Sequence, residues 1–215
     1  MAQYVEGEDY YGFTGETREV DGVTVRQIIA TRDIPSLNVK AGDVGGYIQS
    51  RHNLLGGSWA KGDAVVMENA TLDQGTFADV NARVKGNSRV LGNSVITEGA
   101  EVSGNSVIEA GSEPNRGVVV ISGKATVRDA TISTVKGGHV GITGSALVSD
   151  GATIIGGDVV VTGNSVVKED SLVKGFIDII DNACVCGGAQ VVGDGEGILI
   201  IEGDEHISDP FYRRG

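Results

Sequence analysis

The chain has 215 residues, which bounds it to one domain or at most two. Its formal net charge of −12 argues against direct nucleic-acid binding, because phosphates are met by a basic face. The 34 glycines against 3 prolines fit many tight turns and exclude a collagen, and aromatics at 5% suit a thin core filled with Val, Ile and Ala.

Residues 1–14 carry Tyr4, Tyr10, Tyr11 and Phe13 among Glu6, Glu8 and Asp9. This reads as an arm that docks on something, with Tyr10, Tyr11 and Phe13 as partner-binding candidates. The preferred reading is that it caps the open end of the repeat that follows. The start lacks the basic-then-apolar order of a signal peptide. No apolar run approaches membrane-spanning length. A cytoplasmic location is the expectation. Residues 17–34 predict a β-hairpin, since Asp21-Gly22 is a favoured two-residue turn flanked by Val20 and Val23. Val23 and Val25 alternate with polar residues, Ile28 and Ile29 continue the run, and Pro35-Ser36 end it. Then comes Gly42-Asp43-Val44-Gly45-Gly46-Tyr47-Ile48, whose glycine pair is expected to let the backbone turn tightly as it enters the first coil.

From Ser58 to Ser112 the chain reads as nine consecutive hexads, from SWAKGD and AVVMEN to AEVSGN and SVIEAG. Each opens with a small residue and carries an apolar one two places later, and most close with Gly or Asn. The alternation is that of a short strand, and Gly, Asn or Asp tolerates the positive φ of a sharp turn. Three hexads make an 18-residue period: Val66, Val84 and Val102 form one column, Leu72, Val90 and Ile108 a second, and Ala60, Ala78 and Ile96 a third. Asn69, Asn87 and Asn105 recur at the same interval and predict an amide ladder. Self-similarity of this kind means stacked coils, none able to bury its apolar face alone.

The form [VIL]-x-G-N-[SA]-x, as in Val84-Lys85-Gly86-Asn87-Ser88-Arg89, resembles the left-handed parallel β-helix of the hexapeptide-repeat superfamily. The expected fold is all-β: about eight triangular coils preceded by a small hairpin cap. The hairpin, the Gly-Asp-x-Gly-Gly-aromatic-Ile segment and Asn53-Leu54 resemble a group of phage and prophage members of that superfamily, often labelled acyltransferases or polymer-forming proteins. The resemblance implies a homotrimer and a host-cytoplasm setting. The expected boundaries are 1–57 for arm, hairpin and linker, 58–207 for the β-helix, and 208–215 for a capping tail.

Glu113-Pro114-Asn115-Arg116-Gly117 interrupts the repeat and should bulge from a corner, because Pro cannot donate to a ladder. Beyond it, segments starting at Ile121, Ile142, Val161, Ile180 and Ile201 align at spacings of 21, 19, 19 and 21. The extra residues fall in Gly-rich stretches near Gly137-Gly138, Gly156-Gly157 and Gly193–Gly197, which read as enlarged turns at one corner. The apolar triplets Val118–Val120, Val159–Val161 and Ile198–Ile200 predict an outward apolar stripe, taken as the homotrimer face. At the end, Phe211 and Tyr212 are expected to cover the last coil, and they are the partner-binding candidates there. Stacking about eight coils at about 4.8 Å gives a prism roughly 40 Å long.

Cys184 and Cys186 rule out a disulfide framework. In the hexad phase Ala183 and Val185 point inward, so both thiols are expected outside. His52, His139 and His206 are spread too far along the stack for one site, so no metal and no cofactor is expected. An acyltransferase, as the resemblance also implies, would use a His as general base with acetyl coenzyme A as co-substrate. His139, beside Gly137-Gly138, is the one candidate. The expected function is a non-catalytic scaffold that presents an acidic surface to a protein partner with a basic surface. One version inhibits a host defence or nucleic-acid-binding protein. The alternatives are the acyltransferase, a phage structural component, and a small-molecule sponge.

Overall fold

The computed structural model describes residues 10–111, 117–193, 197–208, 210 and 212–213. It is an all-β solenoid of about eight parallel turns with an antiparallel hairpin at its N-terminal end. Strand β1 (Tyr11–Val20) and strand β2 (Val23–Ala30) pair antiparallel about Asp21 and Gly22. Both turn residues have positive φ, 51° and 78°, so the two-residue turn has the mirror-image twist that suits a hairpin. The hairpin starts at Tyr11, so it takes in Tyr11 and Phe13, which the sequence placed in a separate arm.

Strand β3 (Val44–Ile48) joins cap to solenoid. It pairs antiparallel with β2 and parallel with Val65–Val66 of the first full coil. Gly45 and Gly46 lie inside this strand and not in a turn, which corrects the expectation for the pair. They are needed for close approach. A Cβ on Gly45 would sit 2.7 Å from the Ala60 carbonyl oxygen, and one on Gly46 would sit 2.5 Å from that of Ala64.

Three inward columns fill the prism. Ile48, Val66, Val84, Val102, Val127, Val148, Val167, Val185 and Ile207 stack in parallel register. Leu54, Leu72, Val90, Ile108, Ile132, Ile154, Val173 and Val191 form the second. Ala60, Ala78, Ile96, Ile121, Ile142, Val161, Ile179 and Ile201 form the third. Every member is buried, which supplies the apolar burial that no single coil could achieve. The small residue opening each hexad fits the narrow corner, and buried Ser88, Ser94 and Ser106 each donate a hydrogen bond to the carbonyl three residues back.

Part of the acidity serves the corners. Glu68, Glu98, Asp129, Glu169 and Asp181 all take positive φ there. The carboxylates of Glu68, Glu98, Glu169 and Asp181 accept backbone N–H bonds from the following coil, at Gly86, Gly123, Gly187 and Gly203, and that of Asp129 accepts one from Asn105 of the preceding coil. An anionic acceptor strengthens such a bond, so these carboxylates tie one turn to the next. The amide ladder forms as expected: Asn69 donates to Asn87 at 3.0 Å, Asn87 to Asn105 at 3.0 Å, and Asn105 to Asp129 at 3.0 Å. A second ladder runs from Asn164 through Asn182 to Asp204.

The later coils are larger for a different reason than the sequence suggested. Glycines near 137 and 156 do not close turns. They lie within strands Thr131–Ile142 and Thr153–Val161, which bend from one face to the next through register shifts. Strand Leu172–Ile179 continues the pattern. A Cβ on Gly156 would meet Val140 Cγ2 at 2.1 Å, so the bend needs a bare backbone. The added residues create a fourth inward column, Val119, Val140, Val159 and Ile177. The Pro114 insertion lies outside the described residues, apart from Gly117, whose N–H donates to the Gly111 carbonyl. The backbone of Tyr212–Arg213 adds a strand beside Gln190–Val191.

Candidate functional site

The parallel register builds one distinctive outer face. Outward residues alternate with inward ones, so Phe77, Val95, Val120, Gly141, Val160, Asp178 and Ile200 stack in a column along the axis. Trp59 heads the same column but is buried with Ile28 in the core. A second outward column, Val118, His139, Asp158 and Phe176, runs beside it. Phe176 is 41% exposed and Ile200 49%, so the face is apolar and uncovered. Large apolar side chains held outward in file on a rigid sheet mark an interaction surface.

A polar island interrupts this face. His139 Nδ1 lies 3.7 Å from Asp158 Oδ1, and both side chains are about half exposed. The Asp178 carboxyl, two residues past Phe176, is held above the usual carboxylate range, first by burial and then by the negative charge of Asp158. Its ionisation therefore costs the native state stability. That cost is complete above the raised folded-state value and vanishes as the pH falls below the ordinary 3.8. Asp178→Asn is expected to raise the urea midpoint at pH 7 and to lose that gain by pH 3. A midpoint at pH 7 no higher than wild type would show that the carboxylate is well solvated.

The N-terminal aromatic candidates pack within the cap. Tyr10 and Tyr11 are buried, and Phe13 is half-buried against the same core cluster. The Arg26 guanidinium stacks 3.9 Å from the Phe13 ring centroid, the Arg18 guanidinium 3.8 Å from that of Tyr47, and the Tyr11 hydroxyl donates to the Arg51 carbonyl. Burial leaves Tyr10 and Tyr11 no face for a partner. Phe211 lies outside the described residues, and the backbone of Tyr212 pairs with Gln190. Between the hairpin and the first coils runs an open polar groove of about 440 Å³, lined by Arg18, Glu19, Asp63, Asn81 and Arg83 among others. It is bridged by the Arg18–Asp63 pair at 2.9 Å.

The structure brings together three residues that the sequence reading held apart. Cys184, Cys186 and His206 place their two Sγ atoms and a ring nitrogen within 4.8 Å of one another. Cys184 pairs directly with His206 in the ladder, one coil apart. Cys186 is buried, not outside as expected. The strand ends at Val185, the chain then turns through Gly187-Gly188, and His206 of the next coil reaches the Cys186 sulfur at 3.4 Å. Burial, followed by the hydrogen bond and charge of Cys186, pushes the Cys184 thiol up to about 11. The signal was present in the sequence. Cys184 and His206 each stand one residue before a column member, Val185 and Ile207.

Among the described residues no helix is long and apolar enough to cross a membrane. No family model matches the chain, and a search of curated proteins returns no match.

Proposed function

We propose that this chain is a non-catalytic scaffold that self-associates through its outward apolar face as a homotrimer and presents its acidic corners to a basic protein partner. The outward column from Phe77 to Ile200 carries the reading. It runs parallel to the solenoid axis, so a second copy offers the same contact once per coil, at a repeat of about 4.8 Å. Asp178 interrupts the column and Asp158 stands in the column beside it, which restricts the registers two copies can share. The corner carboxylates that tie coils together leave the surface acidic, and a net charge of −12 favours capture of a cationic partner. A phage or prophage setting, with inhibition of a host nucleic-acid-binding protein as one version, rests on the resemblance of the cap and linker.

Sedimentation equilibrium tests the reading. Wild type is expected to run as a trimer and Val160→Lys as a monomer with unchanged circular dichroism, because the lysine puts a charge in the middle of the apolar column. A monomeric wild type at tens of micromolar overturns it. One observation favours the acyltransferase alternative: the Asp158 carboxylate lies beside His139, as a carboxylate that orients a general base would. Saturable binding of acetyl coenzyme A that is lost in His139→Ala would replace the scaffold reading.

A further inference from the structure

We infer that Cys184, Cys186 and His206 form a three-donor site for a zinc-class divalent ion, with the fourth coordination position open. The fold itself builds the triangle. Val185 points into the core, so Cys184 before it turns outward, while Cys186 lies just past the end of the strand, where the chain turns and the sulfur is buried. Stacking then sets His206 against Cys184 across one coil step. None of the three positions is part of the outward apolar face, so the site is independent of self-association.

The geometry fits the ion closely. Zinc bonds of about 2.3 Å to sulfur and about 2.0–2.1 Å to nitrogen place sulfur and nitrogen about 3.6 Å apart in a tetrahedron, and two sulfurs about 3.8 Å apart. Cys186 Sγ and the His206 ring nitrogen stand at 3.4 Å. Because no pair of donor atoms exceeds 4.8 Å, the longest edge needs to contract by about 1 Å at most. His206 and Cys184 retain enough exposure for side-chain adjustment and for entry of the ion. Charge also balances. Two thiolates and a neutral imidazole make the occupied site neutral overall, so it fits a partly desolvated corner without a further counter-ion. On binding, the ion takes the place of two thiol protons, which leave to solvent. Thiolate and imidazole donors select zinc over magnesium or calcium, which prefer oxygen.

The test uses the full chain, reduced and stripped of metal, titrated with cobalt(II) as a spectroscopic stand-in and then with zinc. The expected result is one cobalt per chain, with the intense visible bands of a tetrahedral ion and a thiolate charge-transfer band, both erased by one equivalent of zinc. His206→Ala, at an exposed position, should fold normally. It should also weaken zinc binding at least about tenfold, since loss of even a supporting outer group has that effect. Cys184→Ser should abolish the charge-transfer intensity contributed by its sulfur. Weak octahedral bands, or bands that persist unchanged in His206→Ala and Cys184→Ser, overturn the inference. A sedimentation run with and without zinc keeps it distinct from the scaffold proposal, because the trimer should survive removal of the ion.

Discussion

Gly46→Ala is expected to destabilise the protein by about 3 kcal/mol, the upper range for a group forced into a packed interior. The reason is local and rigid. The new Cβ would sit 2.5 Å from the Ala64 carbonyl oxygen and 3.4 Å from the Ala60 Cβ. That carbonyl already accepts the Tyr47 N–H at 2.9 Å, so it cannot retreat without breaking the bond that holds β3 to the first coil. The loss should fall first on the cap. Hydrogen exchange is expected to quicken in β1, β2 and β3 while the amides near Val102 and Val127 stay protected, because solenoid coils are stabilised by their neighbours and fray from the ends. A urea midpoint equal to wild type would mean that β3 can lift off the stack at little cost, and the account of the glycine pair would fail.

Asn53→Leu should be similarly severe, with a loss of about 3 kcal/mol, because it strips a buried amide from several backbone groups at once. Asn53 is fully buried. Its amide donates to the Ala70 carbonyl at 2.7 Å and the Glu68 carbonyl at 3.2 Å, and its carbonyl accepts the Ser50 N–H at 2.8 Å. Leucine fills the volume but satisfies none of these groups. Asn53→Asp separates hydrogen bonding from packing. At pH 7 it buries a charge that faces two carbonyl oxygens and should be as damaging as leucine. A protonated carboxyl can donate to Ala70, so part of the loss should return near pH 4, read as a urea midpoint relative to wild type at each pH. Equal losses at both pH values would show that the amide donor is not what the site needs.

The hexads were legible because their period and the coil's are the same. When like residues recur every 18 positions, local alternation already states which side chains share a column, and Val66, Val84 and Val102 stack as the spacing implied. The Asn69–Asn87–Asn105 ladder was readable for the same reason, and the Asp21-Gly22 turn because short-range geometry settles it. Glycine was the residue that misled. It serves tight turns and close approaches alike, and only the neighbouring coil shows that Gly45, Gly46 and Gly156 stand where another chain segment leaves no room for a Cβ. Cys186 was misplaced because strict alternation stops at a corner, where the chain rotates and the next coil closes over the sulfur.

What the amino-acid order alone decided is the repeat: stacked parallel coils, an aliphatic core in columns, and a hairpin at one end. Each follows from interactions a few residues long or from exact periodicity. What only the tertiary structure decided is which residues meet across coils of unequal length. Insertions change the count between neighbours, so His139 comes to lie over Asp158, and Cys184 and Cys186 come to face His206. The outward column from Phe77 to Ile200 became a single face only once those lengths were set by the stacking of one backbone on the next.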